Sequence, residues 1–161
     1  MSVEIKLFTR WRVEANLSEI AAILGETGAY ASWWGEAWAH SQEIDPGDAA
    51  GLGKTSALTP RRCGRLGVRA LSMRLVEDDR PRSWGVEING DLSGQGSWSL
   101  YQDGPVAEVG HEWRVVPRGA RLRLLGPLGR LFCRRCLRRV MRSGEAALTR
   151  EIARRRSHRS G

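Results

Sequence analysis

Apolar and charged residues alternate at the start of the chain, where Val3, Ile5, Leu7, Thr9, Trp11 and Val13 recur at period two through VEIKLFTRWRVE. This predicts a half-buried strand over residues 3–14. Asn16 followed by Glu19 has the form of a capping box, opening a helix through LSEIAAIL that Gly25 can end. A second short helix is expected from Thr27 to Trp34. The text then turns to strand and turn punctuation: AHSQEI, the turn DPGDAAGLG, KTSAL and a loop from Pro60 to Gly67. Further strands are expected near 68–77, 83–91, 95–102 and 106–116, separated by turn signals such as EDDRPR and YQDGP. From about Pro117 the period changes to 3.6, and Leu128, Phe132, Cys136, Val140, Gly144, Leu148 and Ile152 read as the buried stripe of one long helix. The order is strand, two short helices, five or six antiparallel strands and a terminal helix, an α+β plan in which the helix lies across a curved sheet.

Composition narrows this picture. The chain has 161 residues, 41% hydrophobic and 27% charged, which suits one folded domain over residues 1–153 with a basic, disordered tail at 154–161. No apolar run approaches the roughly 20 residues needed to span a bilayer, and charges interrupt the start where a signal peptide is apolar, so a cytoplasmic protein is expected. Cys63, Cys133 and Cys136 are too few for a disulfide framework, which suits a reducing compartment. Charge is unevenly placed: Arg130 to Gly161 holds eleven Arg against Glu145 and Glu151, and the preceding 129 residues are nearly neutral. An Arg-rich end can dock on an anionic surface, either nucleic acid or membrane, or can be the solvated face of an amphipathic helix.

Several motifs fail on their spacing. GLGKTS ends like a phosphate-binding loop, but the required first Gly falls on Asp48. The Cys133-Arg134-Arg135-Cys136 run has metal or redox spacing without a second Cys or His pair. No GxSxG elbow and no clustered His pair with a carboxylate is present in the sequence. Neither a metal nor a cofactor is therefore expected.

The runs GDLSGQGSWSL (90–100), HEWRV (111–115), GPLGRLF (126–132) and VMRSGEAAL (140–148), with Trp33-Trp34 and the Gly51-Leu52-Gly53 turn, resemble the polyketide cyclase/dehydrase branch of the SRPBCC superfamily. The resemblance spans residues 3–153. It implies the helix-grip fold, a seven-stranded antiparallel sheet curved around the C-terminal helix with an apolar cavity between them. It also implies a hydrophobic ligand, since members bind lipids, hormones and polyketides and some catalyse cyclisation or dehydration. The chain departs from the family pattern at Cys133-Arg134-Arg135-Cys136, where relatives tend to carry a Trp-Asn-His-like segment.

Within such a fold, alternation sends Val109, His111, Trp113 and Val115 inward from one strand, Trp84, Val86 and Ile88 from another, Trp98 and Leu100 from a third, and Met73 from a fourth. Phe132, Val140 and Met141 complete the expected lining from the helix. Trp33, Trp34 and Trp38 fall where the helix-grip has its cavity mouth. Flat aromatic walls suit an extended or polycyclic ligand, although the same tryptophans can simply fill a core. His111 is the titratable side chain on an otherwise apolar wall, either a general acid or base near neutral pH or a core histidine with satisfied nitrogens. Asp91 and Glu145 lie in the best-matching runs; Asp91 suits a turn, and Glu145 a helical pair with Arg138 or Arg142, or the cavity edge. Three functions remain open: a cyclase or dehydratase of a hydrophobic substrate, a non-catalytic carrier or sensor of an apolar metabolite, and docking on an anionic surface. The sequence leaves the oligomeric state open.

Overall fold

The computed structural model describes residues 4–61 and 67–160. Seven strands form one antiparallel sheet in the order β1-β7-β6-β5-β4-β3-β2. They are β1 (Ile5–Val13), β2 (Trp38–Asp45), β3 (Thr55–Pro60), β4 (Leu71–Asp79), β5 (Ser83–Gly90), β6 (Leu92–Asp103) and β7 (Val106–Pro117). Strands β2 to β7 follow one another as a meander, and β1 closes against β7, with Thr9 opposite His111 and Trp11 opposite Val109. The edge strands are thus β1 and β2, joined through α1 (Leu17–Leu24), a 3-10 turn at Thr27–Ala29 and the single-turn α2 (Tyr30–Trp33).

The capping box is formed: Asn16 accepts from the Glu19 N–H at 2.8 Å, and Glu19 accepts from the Asn16 N–H at 3.3 Å. Two orphan donors at the helix start are satisfied in this way. The helical region expected from Pro117 divides in two, α3 (Ala120–Leu124) and α4 (Pro127–Arg159). Gly126 supplies the break at φ 56°, and Pro127 then opens the long helix, its missing N–H costing nothing at that position.

Two expectations about α4 need correction. The stripe of residues spaced by four cannot remain on one face, because each step of four advances about 40° around the helix. Phe132 therefore lies about 80° from Val140 and is exposed, as is Leu128, while Gly129 and Cys133 take the buried side. The real seam continues through Leu137, Val140, Met141, Gly144, Ala147, Leu148, Glu151 and Ile152. The helix also runs on through Arg159, past the expected start of a disordered tail. Ion pairs hold that end: Arg154 and Arg155 reach Glu151 at 2.7 and 2.8 Å, and Arg156 reaches Glu19 at 2.8 Å.

Helix and sheet meet most closely at Gly144, where a Cβ atom would collide with the rings of Trp11 and Trp34. Trp11 Nε1 donates to Met141 O at 3.0 Å, Trp34 Nε1 donates to Ser143 Oγ at 2.9 Å, and the Arg12 N–H donates to Glu145 Oε2 at 3.0 Å. Cys133 is a buried free thiol pushed up to about 11, chiefly by burial. Cys136 is disulfide-bonded. Cys63 and most of the expected Pro60–Gly67 loop lie outside the described residues. Among the described residues no helix is long and apolar enough to cross a membrane.

Candidate functional site: the aromatic inner wall

Register sets the wall. One cross-strand row on the concave face reads Trp84, Trp98, His111, Thr9, and the next reads Val86, Gly96, Trp113, Leu7. Ile88 follows on β5, opposite Met73 of β4. Alternation makes this face apolar, and Trp84, Trp98, Trp113, Met73, Val86 and Ile88 are all buried. Trp84 stacks on Trp98 at 6.0 Å between centroids, Trp98 meets the His111 ring edge-on at 4.2 Å, and His111 meets Trp113 at 5.1 Å. Gly96 lets the wall pack closely here, since a Cβ there would stand 3.2 Å from Val86, 3.3 Å from Ile88 and 3.4 Å from His111 Nε2.

Trp11, which the sequence reading left inside its strand, is the hinge of the aromatic set. It lies 5.5 Å from Trp98 and 5.6 Å from Trp34, and Trp34 in turn touches Trp33, Trp38 and Tyr30. All seven tryptophans thus belong to one connected network. The period-two pattern had already put Trp11 inward; nothing local to β1 marked it as the junction with α4.

Trp33, Trp34 and Trp38 do not form an open rim. All three are buried, because α2 turns inward and α4 takes the Trp34 N–H through Ser143. Asp91 Oδ2 accepts from the Arg69 N–H at 2.7 Å and the Ala70 N–H at 3.2 Å, and its carbonyl accepts from Arg118 N–H. Through its carboxylate and its carbonyl Asp91 joins three chain segments at the end of the sheet, away from the tryptophan row. Glu145 spends its carboxylate on the Arg12 N–H and not on Arg138 or Arg142. Of the three acid–base candidates only His111 stands on the wall. On the helix, Val140 and Met141 are buried, whereas Phe132 faces outward.

Burial pushes the His111 imidazole down to about 3, so it is neutral at physiological pH and does not titrate there in the free protein. A neutral imidazole has one N–H and one lone pair to offer a ligand. Its Nδ1 has no hydrogen-bond partner among the described residues, and neither do the Nε1 atoms of Trp113, Trp33 and Trp38. A buried polar atom left unpaired costs about 1–3 kcal/mol, and two of these four, His111 Nδ1 and Trp113 Nε1, lie on the wall.

The architecture can now be set beside solved structures. The Zhui aromatase/cyclase from Streptomyces sp. R1128 superposes with a TM-score of 0.77 at 15% identity, over 95% of this chain and 96% of that one. The fold is the helix-grip. A START superfamily protein from Mycobacterium smegmatis matches this helix-grip chain at TM-score 0.69 and 12% identity, over 90% of this chain and 97% of that one. Norcoclaurine synthase from Thalictrum flavum does so at 0.60 and 13%, over 97% and 98%. No family model and no curated protein sequence matches the chain.

Proposed function

We propose that this helix-grip protein encloses a hydrophobic molecule of polyketide-like or aromatic character against the Trp84, Trp98, His111 and Trp113 wall, and promotes its cyclisation or dehydration. The observation that carries this reading is the set of unpartnered buried nitrogens: His111 Nδ1 and Trp113 Nε1 belong to neighbouring rings, 5.1 Å between centroids, on an apolar wall. A carbonyl or hydroxyl of a bound ligand would satisfy both. The aromatase/cyclase among the structural neighbours supports the choice of chemistry.

Intramolecular aldol closure removes one proton from the carbon that becomes the nucleophile and delivers one to the carbonyl oxygen it attacks. Loss of water then takes a second carbon-bound proton and the new hydroxyl, with no oxidant or reductant required. His111 can accept the first proton while the developing enolate beside it offsets the cost of a buried imidazolium, and return it to the oxygen. Walls that hold a flexible chain in one reactive fold supply the rest, effective molarities of about 10⁵ M or more being attainable from positioning alone.

Native mass spectrometry of protein purified from its own host, against the denatured mass, is expected to show a retained small molecule. Incubation with a linear poly-β-ketone surrogate is expected to give a cyclised product with wild type and not with His111→Gln, which keeps a polar chain of similar size. A second reading, a carrier without turnover, is favoured by the single titratable group on the wall. Binding with no product from either protein would establish it, and normal turnover by His111→Gln would remove the histidine from the mechanism.

A further inference from the structure

The arginines of α4 are not one population. At the C-terminal half Arg150 pairs with Glu36, Arg154 and Arg155 with Glu151, and Arg156 and Arg159 with Glu19. At the N-terminal half Arg130, Arg134, Arg135, Arg138, Arg139 and Arg142 are exposed and have no ion pair among the described residues. From Arg118 to Gly144 the chain carries nine arginines and no acidic residue. Beside this charge stand Leu124, Leu128, Leu131 and Phe132, which are 87%, 58%, 50% and 44% exposed. On α4, Leu128, Leu131, Phe132, Arg135, Arg138, Arg139 and Arg142 share an arc of about 120° at 100° per residue.

The geometry points to this face as a docking surface for an anionic phospholipid bilayer, with Leu128, Leu131 and Phe132 entering the headgroup boundary and the arginines meeting lipid phosphates. Both halves of the pattern are needed for that choice. Uncompensated arginine repels a second copy of the same face and attracts an anion. Nucleic acid would use the arginines and leave four large apolar side chains facing water, whereas an interfacial helix uses both. The placement is independent of the inner wall, because these side chains point away from the sheet.

Co-sedimentation with phosphatidylcholine vesicles, with and without about a quarter phosphatidylglycerol, tests it. Wild type is expected to bind only the anionic vesicles and to release them on going to about 0.5 M salt, where screening is strong. Arg135→Gln/Arg138→Gln should weaken binding about 25-fold, at about fivefold per arginine near the surface. Leu131→Ser/Phe132→Ser should weaken it about tenfold or more by removing the inserted area. Arg154→Gln/Arg155→Gln, in the paired half, should stay within about twofold. Failure to bind anionic vesicles overturns the proposal. So does binding that Leu131→Ser/Phe132→Ser leaves unchanged, and equal affinity of wild type and that variant for a short DNA duplex would then assign the face to nucleic acid. Since His111→Gln should bind vesicles like wild type, a failed ligand reading and a failed docking reading give different results.

Discussion

Trp11 and Trp34, at the seam between sheet and helix, give their indole N–H groups to Met141 O and Ser143 Oγ. Trp113, on the sheet wall beside His111, has no such partner among the described residues. The two groups are equally buried and belong to one aromatic network, so neither burial nor residue type separates them. Hydrogen-bond satisfaction does. A buried donor with a protein partner is finished by folding, whereas one without still carries a desolvation cost that a ligand can remove. Folding thus completes the Trp11 and Trp34 donors on α4, and under the proposed function a ligand would complete the Trp113 donor.

The most direct test lies at the seam. Gly144→Ala would ordinarily gain about 1 kcal/mol from helix propensity. Here the new Cβ meets the Trp11 and Trp34 rings, and overpacking should turn that gain into a net loss of about 2 kcal/mol. Urea unfolding checks the sign; a stabilised variant would mean that the seam is loose and the contrast with the wall unfounded.

Acid separates the regions next. The His111 pKa is depressed to about 3 in the folded chain from an ordinary 6.5, so below pH 6.5 the unfolded chain takes up a proton that the folded one refuses. Stability is full above pH 6.5 and falls by about 1.4 kcal/mol per unit as pH drops toward 3, a loss of about 2–3 kcal/mol by pH 4.5. His111→Gln should flatten the curve between pH 6.5 and 4.5. Glu151 has the usual carboxylate pattern, lowered to about 2 from 4.5 chiefly by its hydrogen bond from Arg154. Its contribution is present above pH 4.5 and is lost as pH falls toward 2, below the 6.5–4.5 range in which the histidine is tested. A wild-type curve flat from pH 6.5 to 4.5 would show that the imidazole is solvated.

The α+β plan was legible from the chain because period-two strands, a capping box and a terminal 3.6 period are local signals, whereas the helix-grip itself came from the family resemblance. Strand β6 proved longer than the expected 95–102, reaching Leu92–Asp103, with Gly94 paired to Ile88 and Val115 in the ladder. The inward parity of Trp84, Trp98, His111 and Trp113 followed from alternation for the same local reason. What alternation cannot carry is partnership across long separations. The Glu145 link to Arg12 and the Trp11 link to Met141 join residues more than a hundred positions apart. The sequence therefore offered Glu145 a neighbour on its own helix and left Trp11 unremarked. The Phe132 error was one of period: spacing by four follows the seam for only a turn or two before it drifts to the outer face.

Conservative substitutions of the tryptophans themselves give the smallest and sharpest test. Trp11→Phe removes ring volume and the indole N–H that donates to the Met141 carbonyl, and should cost about 1–2 kcal/mol. Trp113→Phe removes comparable volume but also deletes an unpartnered N–H, so the two terms oppose and the net change should stay within about 1 kcal/mol. Ligand retention should follow the reverse order. Trp113→Phe, having lost a donor on the wall, should bind about tenfold more weakly, while Trp11→Phe, measured well below its melting point, should bind as wild type does. Equal stability losses at the two positions would mean that Trp113 is as fully employed by the fold as Trp11. The wall would then be ordinary core, and the empty nitrogens beside it would no longer speak for a ligand.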